Sequence, residues 1–176
     1  FYINANFVES PVFRDSGKRY IVAQAPTSKT SEDFWRMIYE HDVCAVVMLC
    51  SFAEDTFSLE DKYFPKSNKK VVYGEYEIKN LGSAKDDFVS FRKLTVKNPA
   101  HNKTKSIKHY NLTCWPDMAV IKEQDYGKLL DFVKLVGATM ENSIENEMNQ
   151  KQPVLIHCKA GIGRSGAFLA VLCIYE

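Results

Sequence analysis

The chain has 176 residues, enough for one domain with a sizeable hydrophobic core. Hydrophobic residues make up 45% of it and charged residues 26%, which excludes the disordered and fibrous classes. Lys and Arg number 23 against 22 Asp and Glu, so the net charge of +1 gives no bulk attraction to nucleic acid or to an anionic membrane. Apolar runs such as 44–50 are too short to cross a bilayer, so no membrane segment is predicted.

The two ends indicate a piece of a longer protein. Phe1 follows no initiator Met or signal-peptide pattern, and Glu176 ends an apolar run that no Gly, Asn or Pro closes. We therefore expect residues 1–176 to be a single domain truncated at both ends.

The cysteines and histidines exclude an obvious metal site. Five cysteines form no CxxC pair and the four histidines are scattered, so neither a metal nor another cofactor is predicted. An odd number of cysteines in an ordinary globular composition favours a reducing compartment, and we predict a cytoplasmic location.

The first half of the chain predicts strands and one helix. Residues 2–8 and 18–24 have the composition of strands separated by a turn. Thr30 and Asp33 have the spacing of a capping box at a helix start, and apolar residues continue at helical spacing. The run 45–49 is wholly apolar, as expected of a strand covered on both faces.

The second half predicts further strands, then two helices. Segments 71–78, 86–96 and 105–113 are rich in strand-forming residues, and antiparallel pairing is expected. An apolar stripe predicts a helix over 126–140, before the polar segment 141–152. The stripe of this helix consists of Tyr126, Leu129, Leu130, Val133, Val136 and Met140. A buried strand at 154–156 is then followed by a second helix from about residue 165. These elements predict an α/β (α+β) fold with a twisted mixed sheet flanked by helices.

The segment 154–166 combines a strand, a glycine-containing loop and a helix start. Such a loop directs several backbone N–H groups at one point, where the helix dipole favours an anion. Cys158 stands at the strand end and Arg164 at the helix end, with five residues between them. The planar guanidinium suits two oxygens of a phosphate. The same field favours a thiolate, so Cys158 is predicted to be a nucleophile at neutral pH without a metal.

The motif HCKAGIGRSG at 157–166 resembles the signature of protein tyrosine phosphatases, in its phosphotyrosine-specific form. Further segments are similar to family motifs in the same order along the chain. They are YINAN at 2–6, QAP at 24–26, DFWRM at 33–37, VML at 47–49 and WPD at 115–117. The resemblance therefore extends over nearly the whole chain.

The resemblance implies a role for each residue of the loop. Cys158 resembles the nucleophile that forms a phosphocysteine intermediate, and Ser165 resembles the hydroxyl that stabilises its thiolate. His157 resembles the histidine that supports the cysteine. Arg164 and the backbone before it resemble the phosphate cradle. The cradle comprises Lys159, Ala160, Gly161, Ile162, Gly163 and Arg164.

Two carboxylates outside the loop complete the implied site. Asp117 resembles the general acid that protonates the leaving phenol and contacts the substrate. Glu54, nine residues before Tyr63, resembles the carboxylate that holds the cradle arginine. The implied substrates are phosphotyrosine-containing proteins.

The sequence departs from the family pattern at several positions. Ala25 replaces a glycine, and Ala119 and Ile121 stand where the acid loop has glycine and proline. The lysine and cysteine positions after Glu54 are Leu59 and Glu60. The phosphotyrosine-clamping and glutamine-bearing loops of the family are expected outside residues 1–176.

Three functions are compatible with these residues. We favour hydrolysis of phosphotyrosine, because Cys158, Arg164, Ser165 and Asp117 are all present. A catalytically weak phosphotyrosine-binding module is the alternative. Reduction of arsenate, or chemistry on another oxyanion, is a third reading that the WPD and DFWRM segments disfavour.

Overall fold

The computed structural model describes residues 2–8, 17–52, 61–101, 103–144 and 151–175. The strands are β1 Ala5–Val8, β2 Tyr20–Ala23, β3 Ala45–Met48, β4 Lys70–Tyr73, β5 Tyr76–Lys85, β6 Val89–Asn98, β7 Lys103–Leu112 and β8 Val154–His157. The α-helices are α1 Ser31–Glu40, α2 Tyr126–Glu141 and α3 Arg164–Tyr175. The strands form one eight-stranded sheet in the order β1-β2-β8-β3-β7-β6-β5-β4. Its pairing is mixed, and the predicted mixed α/β fold is confirmed.

The parallel centre of the sheet consists of β2, β8, β3 and β7. Every residue of β3 and β8 is buried, because helices cover both faces of these strands. One core cluster joins α2 and α3 to the sheet, and a second joins α1 to the opposite face. None of the described helices is long and apolar enough to cross a membrane.

The antiparallel half of the sheet corrects one predicted strand. Segment 71–78 is a hairpin rather than a single strand, since β4 ends at Tyr73 and β5 begins at Tyr76. Gly74 makes the turn with a φ of +55°, the left-handed conformation that a two-residue hairpin turn requires at this position. Strand-forming residues on both sides concealed this turn in the sequence.

Two details of the helices also differ from expectation. Thr30 precedes α1 but makes no side-chain cap; its Oγ1 accepts instead from the Thr27 N–H at 2.9 Å. The capping box is therefore wrong. In α2, Tyr126 and Leu130 of the predicted stripe are exposed, and Phe132 is buried in their place. The face of α2 that packs on the sheet is thus rotated from the predicted one.

Candidate active site

The loop after β8 brings the predicted cradle to the N-terminus of α3. Residues 159–163 are bends with no strand pairing, and Arg164 is the first residue of the helix. The Lys159 carbonyl accepts a hydrogen bond from the Ala25 N–H at 3.0 Å. Gly161 has a φ of +79°, and a Cβ there would lie 2.5 Å from the Ala23 carbonyl oxygen. Glycine is therefore required for the loop to lie against the end of β2.

Cys158 lies beneath this loop with 3% of its surface exposed. The Gly161 N–H donates to its Sγ at 3.2 Å. The pKa of the Cys158 thiol is lowered from its ordinary value. Burial alone would raise this pKa, but its effect is outweighed by hydrogen bonds from the Ser165 hydroxyl and N–H and the Gly161 N–H, and by the charge of Arg164. The Ser165 hydroxyl is buried and has no other hydrogen-bond partner among the described residues, so it is available to donate to the sulfur.

The guanidinium of Arg164 contacts the predicted acid loop. Its Nη1 donates to the Trp115 carbonyl at 3.1 Å, and its Nη2 donates to Asp117 Oδ1 at 2.9 Å. The Arg164 side chain is 5% exposed and that of Asp117 is 39% exposed. The carboxylate thus uses donors that a bound phosphate would need. The structure brings together Arg164 and Asp117, which are separated by 47 residues in sequence.

The acid loop ends with Ala119 and Ile121, two residues that depart from the family pattern. Trp115 Nε1 donates to the Ala119 carbonyl at 3.1 Å, which closes the loop on itself. Met118 is 98% exposed and has a φ of +55°. The left-handed backbone conformation therefore falls on Met118, the residue before Ala119. Ile121 is buried in the core under α2 and α3. An apolar side chain therefore fixes the end of this loop.

A series of hydrogen bonds between buried polar side chains, the buried polar chain, leads to the backbone of Cys158 from the other side. The Tyr63 hydroxyl lies 2.7 Å from Nε2 of both His157 and His109. His157 Nδ1 lies 3.1 Å from the Cys158 carbonyl, which can only accept, so this nitrogen carries the proton. Tyr63 consequently donates to His157 and accepts from His109. Arg92 Nη1, 3.3 Å from His109 Nδ1, is the first donor of the chain.

The pKa shifts of the three buried groups agree with this order of hydrogen-bond donors. Burial lowers the pKa of His157 to about 4. Burial and the nearby Arg92 charge lower the pKa of His109 well below its ordinary value. Burial raises the pKa of Tyr63. Both imidazoles are therefore neutral near pH 7, and every hydrogen bond has one defined donor.

Sequence reasoning did not assign roles to Tyr63 and His109. His109 lies two residues from Ile107 in β7, so the alternation of that strand indicates an inward side chain. Nothing local indicates that it meets Tyr63, which is 46 residues away in sequence.

The remaining predicted site residues have different outcomes. Glu54, with the departures Leu59 and Glu60, lies outside the described residues. In the cradle, Ala160, Ile162 and Gly163 are exposed, whereas Lys159 is half-buried. No group of three or more His, Cys, Asp or Glu side chains within the described ranges could hold a metal ion.

Comparison with known proteins assigns the sequence to a family. The family model for protein-tyrosine phosphatase matches residues 1–176. The chain belongs to the protein-tyrosine phosphatase family. The resemblance inferred from the motifs is thereby confirmed, and it covers the whole chain.

Individual relatives include receptor and non-receptor proteins. The chain is 33% identical to receptor-type tyrosine-protein phosphatase V of Rattus norvegicus over 97% of its length. It is 34% identical to the tyrosine-protein phosphatase Lar-like of Caenorhabditis elegans over 99% of its length. It is 30% identical to the tyrosine-protein phosphatase non-receptor type 4 of Mus musculus, also over 99%. The chain spans 9%, 7% and 18% of these proteins, respectively.

Proposed function

We propose that the chain catalyses hydrolysis of phosphotyrosine in proteins through a phosphocysteine intermediate. The observation that carries the proposal is the 2.9 Å ion pair of Arg164 with Asp117, together with the lowered pKa of Cys158, to which the Arg164 charge contributes. A thiol of lowered pKa, a buried guanidinium and a carboxylic acid are the three groups that this displacement needs. No metal or other cofactor enters the proposed reaction.

The first step transfers the phosphoryl group to sulfur. The Cys158 thiolate attacks phosphorus in line with the tyrosine oxygen, and the P–O bond to that oxygen breaks. Asp117 donates its proton to the leaving phenolate, so tyrosine departs neutral. Arg164 and the cradle N–H groups bind the equatorial oxygens. The cradle N–H groups are those of Lys159, Ala160, Gly161, Ile162, Gly163 and Arg164.

The second step returns the enzyme to its starting state. Water attacks phosphorus, Asp117 accepts its proton, and the P–S bond breaks to release inorganic phosphate. The Ser165 hydroxyl and the Gly161 N–H stabilise the thiolate that leaves. The sum of the two steps is the phosphate ester plus water giving tyrosine plus phosphate.

The ion pair between Arg164 and Asp117 has to open during this cycle. A phosphate dianion offers Arg164 two oxygens in place of one carboxylate oxygen, so substrate binding can displace Asp117. The displaced carboxyl group remains on the loop that starts at Trp115, above the cradle. Substrate binding is thereby coupled to release of the acid.

We further propose that the domain acts in the cytoplasm, on phosphotyrosine-containing proteins. All five cysteines are free thiols, which suits a reducing compartment. The relatives include both receptor-type and non-receptor phosphatases, and either architecture is compatible with this location.

The test is Asp117→Ala in the full-length protein, measured on phosphotyrosine peptides. Loss of the acid should lower kcat by roughly 10²–10⁴-fold. Peptide affinity should be retained or improved, because Arg164 becomes free of its carboxylate partner. Asp131→Ala is the matched control, since that carboxylate is 77% exposed on α2.

A second substitution tests the phosphate cradle. Arg164→Lys should weaken both peptide binding and turnover, because an ammonium cannot form the two parallel hydrogen bonds. Equal kcat for Asp117→Ala and wild type, together with intact peptide binding, would favour the binding module instead.

A further inference from the structure

One face of the antiparallel half of the sheet carries a concentration of lysines. Along β6, residues 93, 95 and 97 point to this face, whereas Leu94 and Val96 between them are buried on the other. The strand register places further lysines of β4, β5 and β7 beside them. We call this surface the basic face. It consists of Lys70, Lys79, Lys93, Lys97 and Lys108.

The lysines of the basic face oppose one another directly. Lys93 pairs with Lys108 across β6 and β7, and Lys70 pairs with Lys79 across β4 and β5. Like charges at directly opposite positions destabilise a sheet. The Lys93–Lys108 pair is therefore unfavourable, and a bound anionic partner would relieve it, whereas Glu77 lies within ion-pair distance of both Lys70 and Lys79.

Compensation by acidic side chains is incomplete. Glu77 shares this face and lies 2.6 Å from Lys70 and 3.4 Å from Lys79. Lys93 and Lys108 have no carboxylate within ion-pair distance in the part of the chain that the structure describes, and both are exposed. The uncompensated positive charge is thus centred on β6 and β7.

The small side chains between the lysines add hydrogen-bonding groups. Thr95 pairs with Ser106 and stands between the two lysine pairs. Next to Lys70 and Lys79, a cavity of about 310 Å³ is lined also by Asn68, Lys69 and Leu81. Lysines, hydroxyls and the Asn68 amide together suit carboxylates on an extended chain.

We propose that the basic face is a docking site for an acidic segment of a partner polypeptide. A membrane is flat, whereas the twist between neighbouring strands rotates the lysine rows by roughly 60–75° from β4 to β7, so the lysines cannot all face one membrane surface. The exposed large apolar side chains beside these lysines are Val72, at 58%, and Leu81, at 49%, a small apolar area for insertion into a membrane. Nucleic acid fits poorly as well, since the basic face presents neither Arg nor an aromatic ring for stacking.

The basic face lies away from the catalytic loop. β7 runs parallel to β3 and β8, and Cys158 follows the carboxyl end of β8. Lys108 pairs with Ala45, the first residue of β3, and Ser106 precedes it in β7, so both lie toward the opposite end of the parallel strands. An acidic segment could occupy the basic face while a phosphotyrosine occupies the cradle. Docking would then lower KM for proteins that carry both an acidic segment and a phosphotyrosine.

The test is binding of a fluorescein-labelled oligoglutamate peptide to the full-length protein, followed by fluorescence anisotropy. The double variant Lys93→Gln/Lys108→Gln should weaken binding at least about fivefold, and raising the ionic strength should weaken binding to wild type. The matched control is Lys128→Gln/Lys134→Gln, which removes the same charge from α2, where each lysine pairs with an aspartate. The control should change affinity by less than about twofold.

Further measurements keep the result interpretable. The Lys93→Gln/Lys108→Gln variant should hydrolyse a small aryl phosphate as wild type does and melt at the same or a higher temperature, because a like-charge pair is removed. If that variant does not fold, Lys108→Gln alone should weaken oligoglutamate binding. Equal affinity of wild type and the folded variant would overturn the proposal. It would also be overturned if the substitutions abolished binding to phosphatidylserine vesicles or to a DNA duplex without affecting oligoglutamate.

Discussion

At the scale of single residues, Gly161 has the most direct steric requirement in the site. Its φ of +79° and the 2.5 Å that would separate a Cβ from the Ala23 carbonyl oxygen both oppose any side chain. We expect Gly161→Ala to lower the free energy of unfolding by about 1–3 kcal/mol. Urea denaturation measures this. Gly163→Ala is the control, because a Cβ there meets nothing within 4 Å. Equal losses in the two variants would contradict the steric argument.

Cys158 and Cys44 differ in reactivity for electrostatic reasons. Hydrogen bonds and Arg164 lower the pKa of Cys158 against the effect of burial, whereas burial raises the pKa of Cys44 to about 11. Iodoacetamide should therefore alkylate Cys158 faster than Cys44 at pH 6.5, although Cys158 is the more deeply buried. Mass spectrometry of the alkylated peptides gives the two rates. Faster reaction of Cys44 would mean that exposure, rather than thiolate content, controls alkylation.

At the scale of elements, the acid loop depends on the anchor at its end. Ile121 is 4% exposed, whereas its neighbour Val120 is 81% exposed. Ile121→Ala should lower the free energy of unfolding by about 2–4 kcal/mol, because it leaves a cavity under α2 and α3. Val120→Ala should change it by less than about 0.5 kcal/mol. Thermal or urea unfolding of both variants provides the comparison, and an Ile121→Ala protein as stable as Val120→Ala would exclude the anchoring role.

The strands show which elements local sequence could predict. β3 and β8 were predictable because each is a short apolar run, and parallel strands buried on both faces require such runs. The hairpin at Gly74 was missed because valine and tyrosine flank a turn of two residues. The capping box failed because the Thr30 hydroxyl found a nearer partner in the preceding turn. Local competition of this kind is invisible in a residue pattern.

At the scale of the whole molecule, only part of the arrangement of the candidate catalytic groups could be predicted from the sequence. Cys158 and Arg164 lie on one loop, so their proximity followed from spacing. The bond from Arg164 to Asp117 spans 47 residues, and the bond from Tyr63 to His157 spans 94. The first results from the order of strands in the sheet, which brings β7 and β8 to either side of β3. The second depends also on Tyr63, which lies between β3 and β4 and whose carbonyl accepts a hydrogen bond from Trp35 of α1. Long-range topology therefore supplies the acid and the buried polar chain.

The buried histidines should make the stability of the whole domain depend on pH. His157 has a folded-state pKa of about 4 against 6.5 for an exposed histidine, and His109 is shifted in the same direction. Below pH 6.5 the unfolded chain binds protons that the folded chain excludes, so stability is full above that pH and decreases as the pH falls.

Between pH 6.5 and 4.5, His157 alone should remove about 2–3 kcal/mol from the free energy of unfolding, measured by urea denaturation at a series of pH values. The carboxylates with lowered pKa, such as Glu77 and Asp86, have ordinary values of 4.5 and 3.8, so their contribution is lost mainly below this window. His157→Asn should flatten the dependence, whereas substitution of the exposed His101 by Gln should leave it unchanged. A free energy of unfolding that stays constant from pH 6.5 to 4.5 in the wild type would mean that His157 is already protonated in the folded protein. The donor order through Tyr63 would then be reversed, with His157 donating to the tyrosine oxygen.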